Sequence, residues 1–338
     1  MSTPRLFHAA LIGCGSYGAE HAKFLSTCSG VKLQAVADIA ADRAEGFAAK
    51  YGAGYATTDL TRIWADPQID AVWISTQHHT HAPLAEAAAA AGKHFFLEKP
   101  LALTLADCDR IVAAVDRSGV IAAVGFKLRF FPAVMAAKQF LTTPTLTAAH
   151  VIDDHWPSDF WANDPVQGGG NVLSQGCHIT DTVLHLHAAP PVCVYAAGGN
   201  RHHPTRDIVD TAAITLTFAD GAVANLSIGD VGVPPHASKF ALQTSDGTRS
   251  LSLYNRLNSL MTREGGKITE HPAWPENGAA VIDQPFIEAV TNGGLSPVTV
   301  HSARRTTAVV LAALESIKTG QVVDLTEAPY AAAIACPA

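Results

Sequence analysis

The sequence predicts an α/β protein with two domains. Its first 126 residues alternate short apolar strands with helical patterns, which is typical of a doubly wound parallel sheet. After Pro132, apolar residues recur at every second position between turn signals, which predicts an α+β domain with a large open, mostly antiparallel sheet. A length of 338 residues suits two domains rather than one. We expect domains at residues 1–126 and 127–338.

The predicted strands of the first domain are apolar throughout and rich in β-branched residues, as buried parallel strands are. Helical patterns separate them, so each helix should cross from one strand to the next. The predicted strands are 9–12, 33–37, 71–75, 94–97 and 120–126. The predicted helices are 19–26, 42–51, 60–65, 82–91 and 105–118.

The second domain is predicted to be built mainly of hairpins. Asp220-Gly221 and Asp246-Gly247 are turn dipeptides that join consecutive antiparallel strands. Two helices follow the sheet, and Gly320 suits the left-handed position after the second helix. The predicted strands are 146–152, 192–196, 212–218, 222–228, 240–244 and 250–254, and the predicted helices are 282–291 and 303–319.

Composition argues against several classes of protein. The formal charge of −7 is spread without a basic stripe, so no nucleic-acid partner is expected. No apolar run approaches the roughly 20 residues that span a bilayer, and the first residues do not resemble a signal peptide. We therefore expect a cytoplasmic protein with no membrane partner. The six cysteines are scattered and form no C-x-x-C pair, which predicts reduced thiols.

A glycine-rich turn follows the first predicted strand and predicts a dinucleotide site. Gly13 allows a tight turn, Gly15 allows a pyrophosphate to approach the backbone, and Gly18 allows the helix to pack near the strand. Ser16 and Tyr17 lie between these glycines, where the helix N-terminus offers N–H groups to phosphates. This strand, turn and helix predict a Rossmann domain.

Asp38 ends the second predicted strand, 20 residues after Gly18. A carboxylate there can accept hydrogen bonds from the adenosine ribose and repels a 2′-phosphate. The first arginine after it is Arg43. The sequence therefore favours NAD over NADP, and the alternative is that Asp38 only caps the end of a strand.

Four motifs together resemble a known family. They are Gly13-Cys14-Gly15-Ser16-Tyr17-Gly18, then Ser-Thr-Gln-His-His-Thr-His at 75–81, then Glu98-Lys99-Pro100, then the triple glycine 168–170 followed by Gly-Cys-His-Ile-Thr-Asp at 176–181. Across nearly the whole chain the sequence is similar to the glucose-fructose oxidoreductase, inositol dehydrogenase and rhizopine catabolism (Gfo/Idh/MocA) oxidoreductases.

The resemblance implies a nucleotide domain, a second domain with an open sheet, and assembly through that sheet into a homodimer or homotetramer. It also implies a small-molecule sugar, cyclitol or related polyol that is oxidised or reduced at a ring carbon. In this family the peptide bond before the proline of Glu98-Lys99-Pro100 is often cis.

Hydride transfer from a carbinol leaves a hydroxyl proton, which needs a base and a positive group beside the oxygen. Lys99 suits the positive group, and Glu98 and Lys99 are placed near the nicotinamide end of the cofactor. His178 matches the acid/base histidine of the family. Asp181 lies one helical turn later and either orients the imidazole, contacts substrate or packs the helix.

Ser174 departs from the family pattern, which often has an aspartate four residues before the histidine. A serine can hydrogen-bond a substrate hydroxyl but cannot act as a carboxylate base. Either Lys99 and His178 suffice, or another carboxylate enters; the candidates are Asp153, Asp154 and Asp164.

Other candidate site residues follow from their positions. Cofactor contacts are predicted for side chains at the carboxyl edge of the parallel sheet and just beyond it, namely Thr76, Gln77, His81 and Arg129. Substrate contacts are predicted for His155, Trp161 and Asn171, and core packing is the alternative for the aromatic residue.

No functional metal is expected from the histidine pattern. Adjacent histidines on a turn, such as His78 and His79, seldom aim at one ion. His185 and His187 are two apart on a predicted helix and so face different ways.

The sequence therefore predicts an NAD-dependent sugar or cyclitol dehydrogenase in which Lys99 and His178 handle the proton. Two alternatives stay open. One is an enzyme that keeps the cofactor bound and cleaves a glycosidic bond through transient oxidation. The other is a non-catalytic, nucleotide-bound sensor, which the serine at 174 suggests and the presence of both Lys99 and His178 argues against.

Overall fold

The computed structural model describes residues 5–235, 237–275, 278 and 280–335. The chain forms two compact units. Unit 1 contains the described residues of 1–102, 106–125 and 278–300, and unit 2 contains those of 103–105, 126–277 and 301–338. The segment 278–300, which the sequence-based boundary assigns to the second domain, thus belongs to unit 1. The amphipathic pattern of a helix does not reveal which sheet it covers.

Unit 1 is a six-stranded parallel sheet with the order β3-β2-β1-β4-β5-β6. Its strands are β1 (Phe7–Ile12), β2 (Val31–Ala37), β3 (Tyr55–Thr57), β4 (Ala71–Ile74), β5 (His94–Leu97) and β6 (Ala122–Val124). The helices of this part of the chain are α1 (Ser16–Thr27), α2 (Ala41–Tyr51), α3 (Thr61–Ala65), α4 (His81–Ala90) and α5 (Leu105–Ser118), with a 3₁₀ turn at His78–Thr80.

The predicted doubly wound sheet is confirmed. Strand order reverses between β1 and β4, so the loops after these strands open a crevice at the carboxyl edge. The core is aromatic and includes Trp73, Phe96 and Phe286, the last from the returning segment. Strand β3 was not predicted, because three residues are too few to show a pattern.

Unit 2 is a nine-stranded mixed sheet with the order β14-β13-β12-β11-β7-β10-β9-β8-β15. Every neighbouring pair is antiparallel except β7 and β10. The strands are β7 (Leu146–Ile152), β8 (Pro191–Gly199), β9 (Thr211–Phe218), β10 (Val223–Gly229), β11 (Phe240–Ser245), β12 (Arg249–Tyr254), β13 (Ser259–Glu264), β14 (Lys267–Glu270) and β15 (Val323–Asp324).

The remaining α-helices are α6 (Pro132–Phe140), α7 (Asn171–Ser174), α8 (Gly176–Leu186), α9 (Ala280–Asn292), α10 (Val300–Thr319) and α11 (Ala331–Ile334). The 3₁₀ helices here are Lys127–Phe130 and Trp161–Asn163. Helix α8 packs on β7 and β10, which places it over the middle of the sheet.

The predicted open antiparallel sheet is confirmed, and so are both hairpins. Three strands were not predicted. All four residues of β14 are exposed, so it carries no apolar pattern, and β15 has only two residues. Gly320 has a φ of 69°, and its N–H donates to Ser316 O, as a helix C-cap does.

None of the five described cysteines forms a disulfide, and Cys336 lies outside the described residues. No helix in the described ranges combines the length and apolarity needed to cross a bilayer.

Candidate active site

The glycine turn has the geometry that a dinucleotide needs. Gly13 has a φ of 99°, and a Cβ there would lie 2.2 Å from Ser75 O. A Cβ on Gly18 would lie 2.0 Å from Gly13 O, so helix and turn are in direct backbone contact. A Cβ on Gly15 would meet no atom of the described chain within 4 Å. The turn is therefore closed at Gly13 and Gly18 and open at Gly15, the glycine predicted to allow a pyrophosphate to approach.

Helix α1 begins directly after this opening. Its first intrahelical hydrogen bond runs from Ala19 N to Gly15 O at 2.9 Å. The preceding N–H groups belong to Ser16, Tyr17 and Gly18, in the turn whose dipole end is positive. This is the position where a phosphate is stabilised.

Asp38 lies beside the same turn. Its Oδ2 accepts the Cys14 N–H at 2.9 Å, and its Oδ1 accepts the Ala40 N–H at 3.0 Å. Arg43 forms an ion pair with Oδ1 at 2.8 Å, and half of the arginine side chain is exposed. The carboxylate therefore ties the glycine turn to the start of α2.

Lys99 is buried, with 5% of its surface exposed. Its Nζ lies 5.7 Å from the centre of the Tyr17 ring, which is within the range of a cation–π contact. The Lys99 N–H donates to Glu98 Oε2 at 3.2 Å, and the Lys99–Pro100 peptide bond is cis. Glycine at 125 leaves room for the Glu98 carboxylate, since a Cβ there would lie 3.0 Å from Oε1.

The buried His21 contacts the Glu98 carboxylate. His21 Nε2 lies 3.2 Å from Glu98 Oε1, and Nδ1 lies 2.9 Å from Asp283 Oδ2. Trp73 Nε1–H donates to Asp283 Oδ1 at 3.1 Å. Burial alone would lower the pKa of His21, but the charge and hydrogen bonds of Asp283 and Glu98 raise it to about 10. His21 is thus an imidazolium ion between two carboxylates. One of them, Glu98, is adjacent to Lys99 in the sequence.

The residues after β4 are held by side chains within unit 1. Thr76 Oγ1 lies 2.7 Å from Thr80 Oγ1, and Gln77 O accepts the Thr80 hydroxyl. His81 is fully buried, with Nδ1 2.9 Å from Pro100 O and Nε2 3.3 Å from Thr76 O. Burial lowers the pKa of His81. His81 links the loop after β4 to the loop that carries Lys99.

In unit 2 the triple glycine forms a tight turn before α7. A Cβ on Gly168 would lie 2.2 Å from Ala162 Cα, and Gly169 and Gly170 have φ values of 78° and 86°. Asp164 shapes this turn, because its Oδ1 accepts the N–H groups of residues 166 and 167 and its Oδ2 pairs with Arg206 at 3.4 Å.

His178 lies in the first turn of α8 and is 3% exposed. The ring of Phe126 meets it edge-on at 6.3 Å, and the ring of Phe240 does so at 6.0 Å. Two aromatic rings therefore pack edge-on against the buried imidazole.

Asp181 and Arg129 form a buried ion pair in unit 2. Arg129 Nε donates to Asp181 Oδ2 at 2.7 Å and its Nη2 donates to Oδ1 at 2.5 Å. Thr306 Oγ1 donates to the same carboxylate, and Arg129 also reaches Ser302. Asp181, which was predicted to contact substrate, and Arg129, which was predicted to contact the cofactor, are therefore hydrogen-bonded to each other.

Asn171 begins α7 and is completely buried. Neither its amide nitrogen nor its amide oxygen has a hydrogen-bond partner among the described residues. Such groups are rare in folded proteins and indicate a ligand or water that completes them. Ser174, at the other end of this short helix, is also buried.

The two other predicted substrate residues lie on the loop after β7. Trp161 is half-buried and tilts against Phe160, with 5.6 Å between ring centres. His155 is exposed and stacks on His203. Of the alternative carboxylates, Asp153 pairs with Lys239 at 2.5 Å and Asp154 is exposed.

Sequence patterns alone missed several residues that support these side chains. His21 and Asp283 are 262 positions apart, and Arg129 and Ser302 are 173 apart. The signal available in the sequence was a polar residue, such as His21 or Asp283, on the apolar face of a helix, which indicates a buried polar partner.

Comparisons with known proteins agree with this fold. Residues 7–126 match the model of an oxidoreductase family with an NAD-binding Rossmann fold, and residues 137–249 match the GFO/IDH/MocA C-terminal domain. The fold and the glycine turn define an NAD-binding oxidoreductase. The chain belongs to the Gfo/Idh/MocA oxidoreductase family.

Two inositol dehydrogenases and one solved dehydrogenase structure are similar to this chain. A myo-inositol 2-dehydrogenase of Thermotoga maritima is 30% identical over 63% of this chain, and the match spans only 65% of that relative's length. A scyllo-inositol 2-dehydrogenase (NAD⁺) of Bacillus subtilis is 29% identical over 94% of this chain and 95% of its own length. The solved levoglucosan dehydrogenase with NADH and levoglucosan has a TM-score of 0.86 and 21% identity, covering 95% of this chain and all of that chain.

Proposed function

We propose that the protein transfers a hydride between NAD and a ring carbon of a sugar, cyclitol or related polyol. Lys99 and His178 handle the proton in this proposal, and the working form is a homodimer or homotetramer assembled through the sheet of unit 2. The observation that carries the proposal is the buried ammonium of Lys99, which follows β5 in the unit that binds the dinucleotide. Relatives named as inositol dehydrogenases support the substrate class.

When bound, NAD supplies the hydride acceptor. The glycine turn and the first turn of α1 would hold its pyrophosphate, and Asp38 would hold the adenosine ribose. Lys99 would stabilise the negative charge that develops on the substrate oxygen. His178 would take the hydroxyl proton, since imidazole exchanges protons near neutral pH. Asn171 would hydrogen-bond a substrate hydroxyl through its amide.

A substrate screen tests this activity. We expect the wild-type protein to form NADH, followed by its near-ultraviolet absorbance, with at least one compound among hexoses, inositols, glycosides and sugar acids. Glycoside cleavage without net NADH would instead support the transient-oxidation alternative. NAD binding without turnover of any of these compounds would support the sensor.

Asp38 is expected to set the choice between NAD and NADP. The substitution Asp38→Ser removes the carboxylate that repels a 2′-phosphate and frees the guanidinium of Arg43. We expect the ratio of the two dissociation constants to move at least about tenfold toward NADP, which corresponds to one lost charge interaction. Calorimetric titration with each cofactor measures the ratio.

Asp42→Ser is the matched control, because Asp42 is an exposed acid in the first turn of the same helix. It should leave the ratio unchanged. In the double variant D38S/R43A the gain in NADP affinity should disappear. An unchanged ratio in Asp38→Ser would mean that this carboxylate does not face the ribose.

Asn171→Leu separates a binding role from a structural one. Leucine has a similar volume and removes a buried amide that has no partner among the described residues. We expect the free energy of unfolding to stay constant or to rise by about 1 kcal/mol, while substrate affinity falls about tenfold. Urea denaturation and the Michaelis constant give the two values. A loss of stability with unchanged affinity would show that the amide serves the fold.

A further inference from the structure

Three loops of unit 2 leave the sheet at the same edge. Gly229 of β10 is in register with Ile152 at the end of β7 and with Thr211 at the start of β9, which pairs with Gly199 at the end of β8. The carboxyl ends of β7, β8 and β10 therefore meet. The residues that follow these strands include His155, His203 and Asp230.

These three side chains are close enough to share one ion. One potential ligand atom from each of them lies within 4.8 Å of the other two. The rings of His155 and His203 stack with 4.9 Å between centres and 7° between planes, and His203 Nε2 lies 2.6 Å from Asp230 Oδ2. We propose that His155, His203 and Asp230 form a binding site for a divalent transition-metal ion.

The chemistry of the donor set fits such an ion. Two imidazoles and one carboxylate bind zinc, iron, cobalt or nickel and leave coordination positions open for water or an oxygen ligand. Ligand atoms on one zinc ion are separated by about 3.3 Å when the bonds are about 2.0 Å long. His155 is exposed, so its side chain can move to close the remaining gap, whereas His203 and Asp230 are buried.

A second observation comes from the carboxylate. Asp230 is completely buried, and its Oδ2 accepts hydrogen bonds from His203 and from the Trp156 N–H at 3.4 Å. Its Oδ1 has no hydrogen-bond partner among the described residues. A buried carboxylate oxygen costs free energy unless it is satisfied, and a metal ion satisfies it.

The hydrogen-bonded atoms His203 Nε2 and Asp230 Oδ2 lie 2.6 Å apart, which is closer than two ligand atoms on one ion. They must therefore separate to about 3.3 Å when the ion binds. The positive side chain of Lys239 forms its ion pair with Asp153 and not with Asp230.

Metal titration of the tag-free, chelator-treated full chain tests the site, with Zn²⁺ in calorimetry and Co²⁺ in visible absorption. The wild type should bind one equivalent at this site. His155→Ala should weaken that equivalent at least about tenfold and abolish the Co²⁺ ligand-field bands. Because His155 is exposed, this variant retains its fold.

His202→Ala is the matched control. His202 is an exposed neighbour whose ring lies 6.0 Å from that of His155, but it is not one of the three ligands. Its metal affinity should equal that of the wild type. The proposal is overturned if the wild type binds Zn²⁺ no more tightly than His155→Ala, or if both variants lose the same affinity.

Discussion

Replacing His21 with leucine is expected to destabilise unit 1 by about 3–5 kcal/mol, because removal of one partner from a buried ion pair leaves its carboxylates unpaired. Both Asp283 and Glu98 contact the imidazolium, and Asp283 has no exposed surface. Urea denaturation measures the loss. His79→Leu, at an exposed histidine of the same unit, should change stability by less than about 0.5 kcal/mol.

The double variant H21L/D283L removes both charges and should recover part of the loss, since apolar replacement of a buried pair is often neutral. Recovery should be incomplete for two reasons. The Trp73 N–H loses its acceptor Asp283, and the Glu98 carboxylate loses its contact with the His21 imidazolium. A double variant as unstable as the sum of the two single variants would contradict the ion pair.

The same pair gives a pH dependence of stability. The pKa of His21 is about 10 in the folded protein, against an ordinary value of 6.5 for histidine. The folded state therefore binds the proton more tightly, so the contribution is fully present below about pH 6.5 and is lost as the pH rises through 10. The free energy of unfolding of the wild type should fall across this range. This component of the slope should be absent in H21L/D283L.

The second large effect is expected from Lys99→Ala. Loss of the ammonium should reduce the rate of hydride transfer by about 10²–10⁴-fold, because the developing oxyanion loses its positive partner. The NAD dissociation constant should stay close to that of the wild type, since the glycine turn and Asp38 remain. Rapid-mixing absorbance of NADH in a single turnover separates this step from product release.

Lys50→Ala provides the control for Lys99→Ala, because Lys50 is exposed at the end of α2 in the same unit. It should leave both the rate and the affinity unchanged. If Lys99→Ala lowered NAD affinity as strongly as it lowered the rate, the lysine would be a cofactor-binding residue rather than a group that acts in the reaction.

The sequence could predict both sheets because their strands carry distinct periods. Residues 94–97, 105–118 and 146–152 were predicted with the observed bounds, since each is an unbroken apolar or amphipathic run between turn signals. The exposed residues of β14 and the three residues of β3 carry no such period. Helix α6 was also missed, although Pro132 at its first turn is typical of a helix start.

Motifs predicted the position of the glycine turn and of Lys99, because each is set by residues close in sequence. The partners of these residues were not predictable in the same way. Asp283, which contacts His21, lies 262 residues later in the chain, after most of unit 2. Thr306 contacts Asp181 across 125 residues. Such pairs follow from the packing of whole elements. The roles of Lys99 and His178 remain predictions.

The central claim is that Lys99 and His178 act on the same substrate oxygen during hydride transfer. A double-mutant cycle on single-turnover NADH formation tests it most directly, using Lys99→Ala, His178→Asn and their combination on the substrate that the screen identifies. Groups that act as a unit are non-additive, so the double variant should be about as slow as the slower single variant. Independent, multiplicative losses, or full activity in either single variant, would contradict the account.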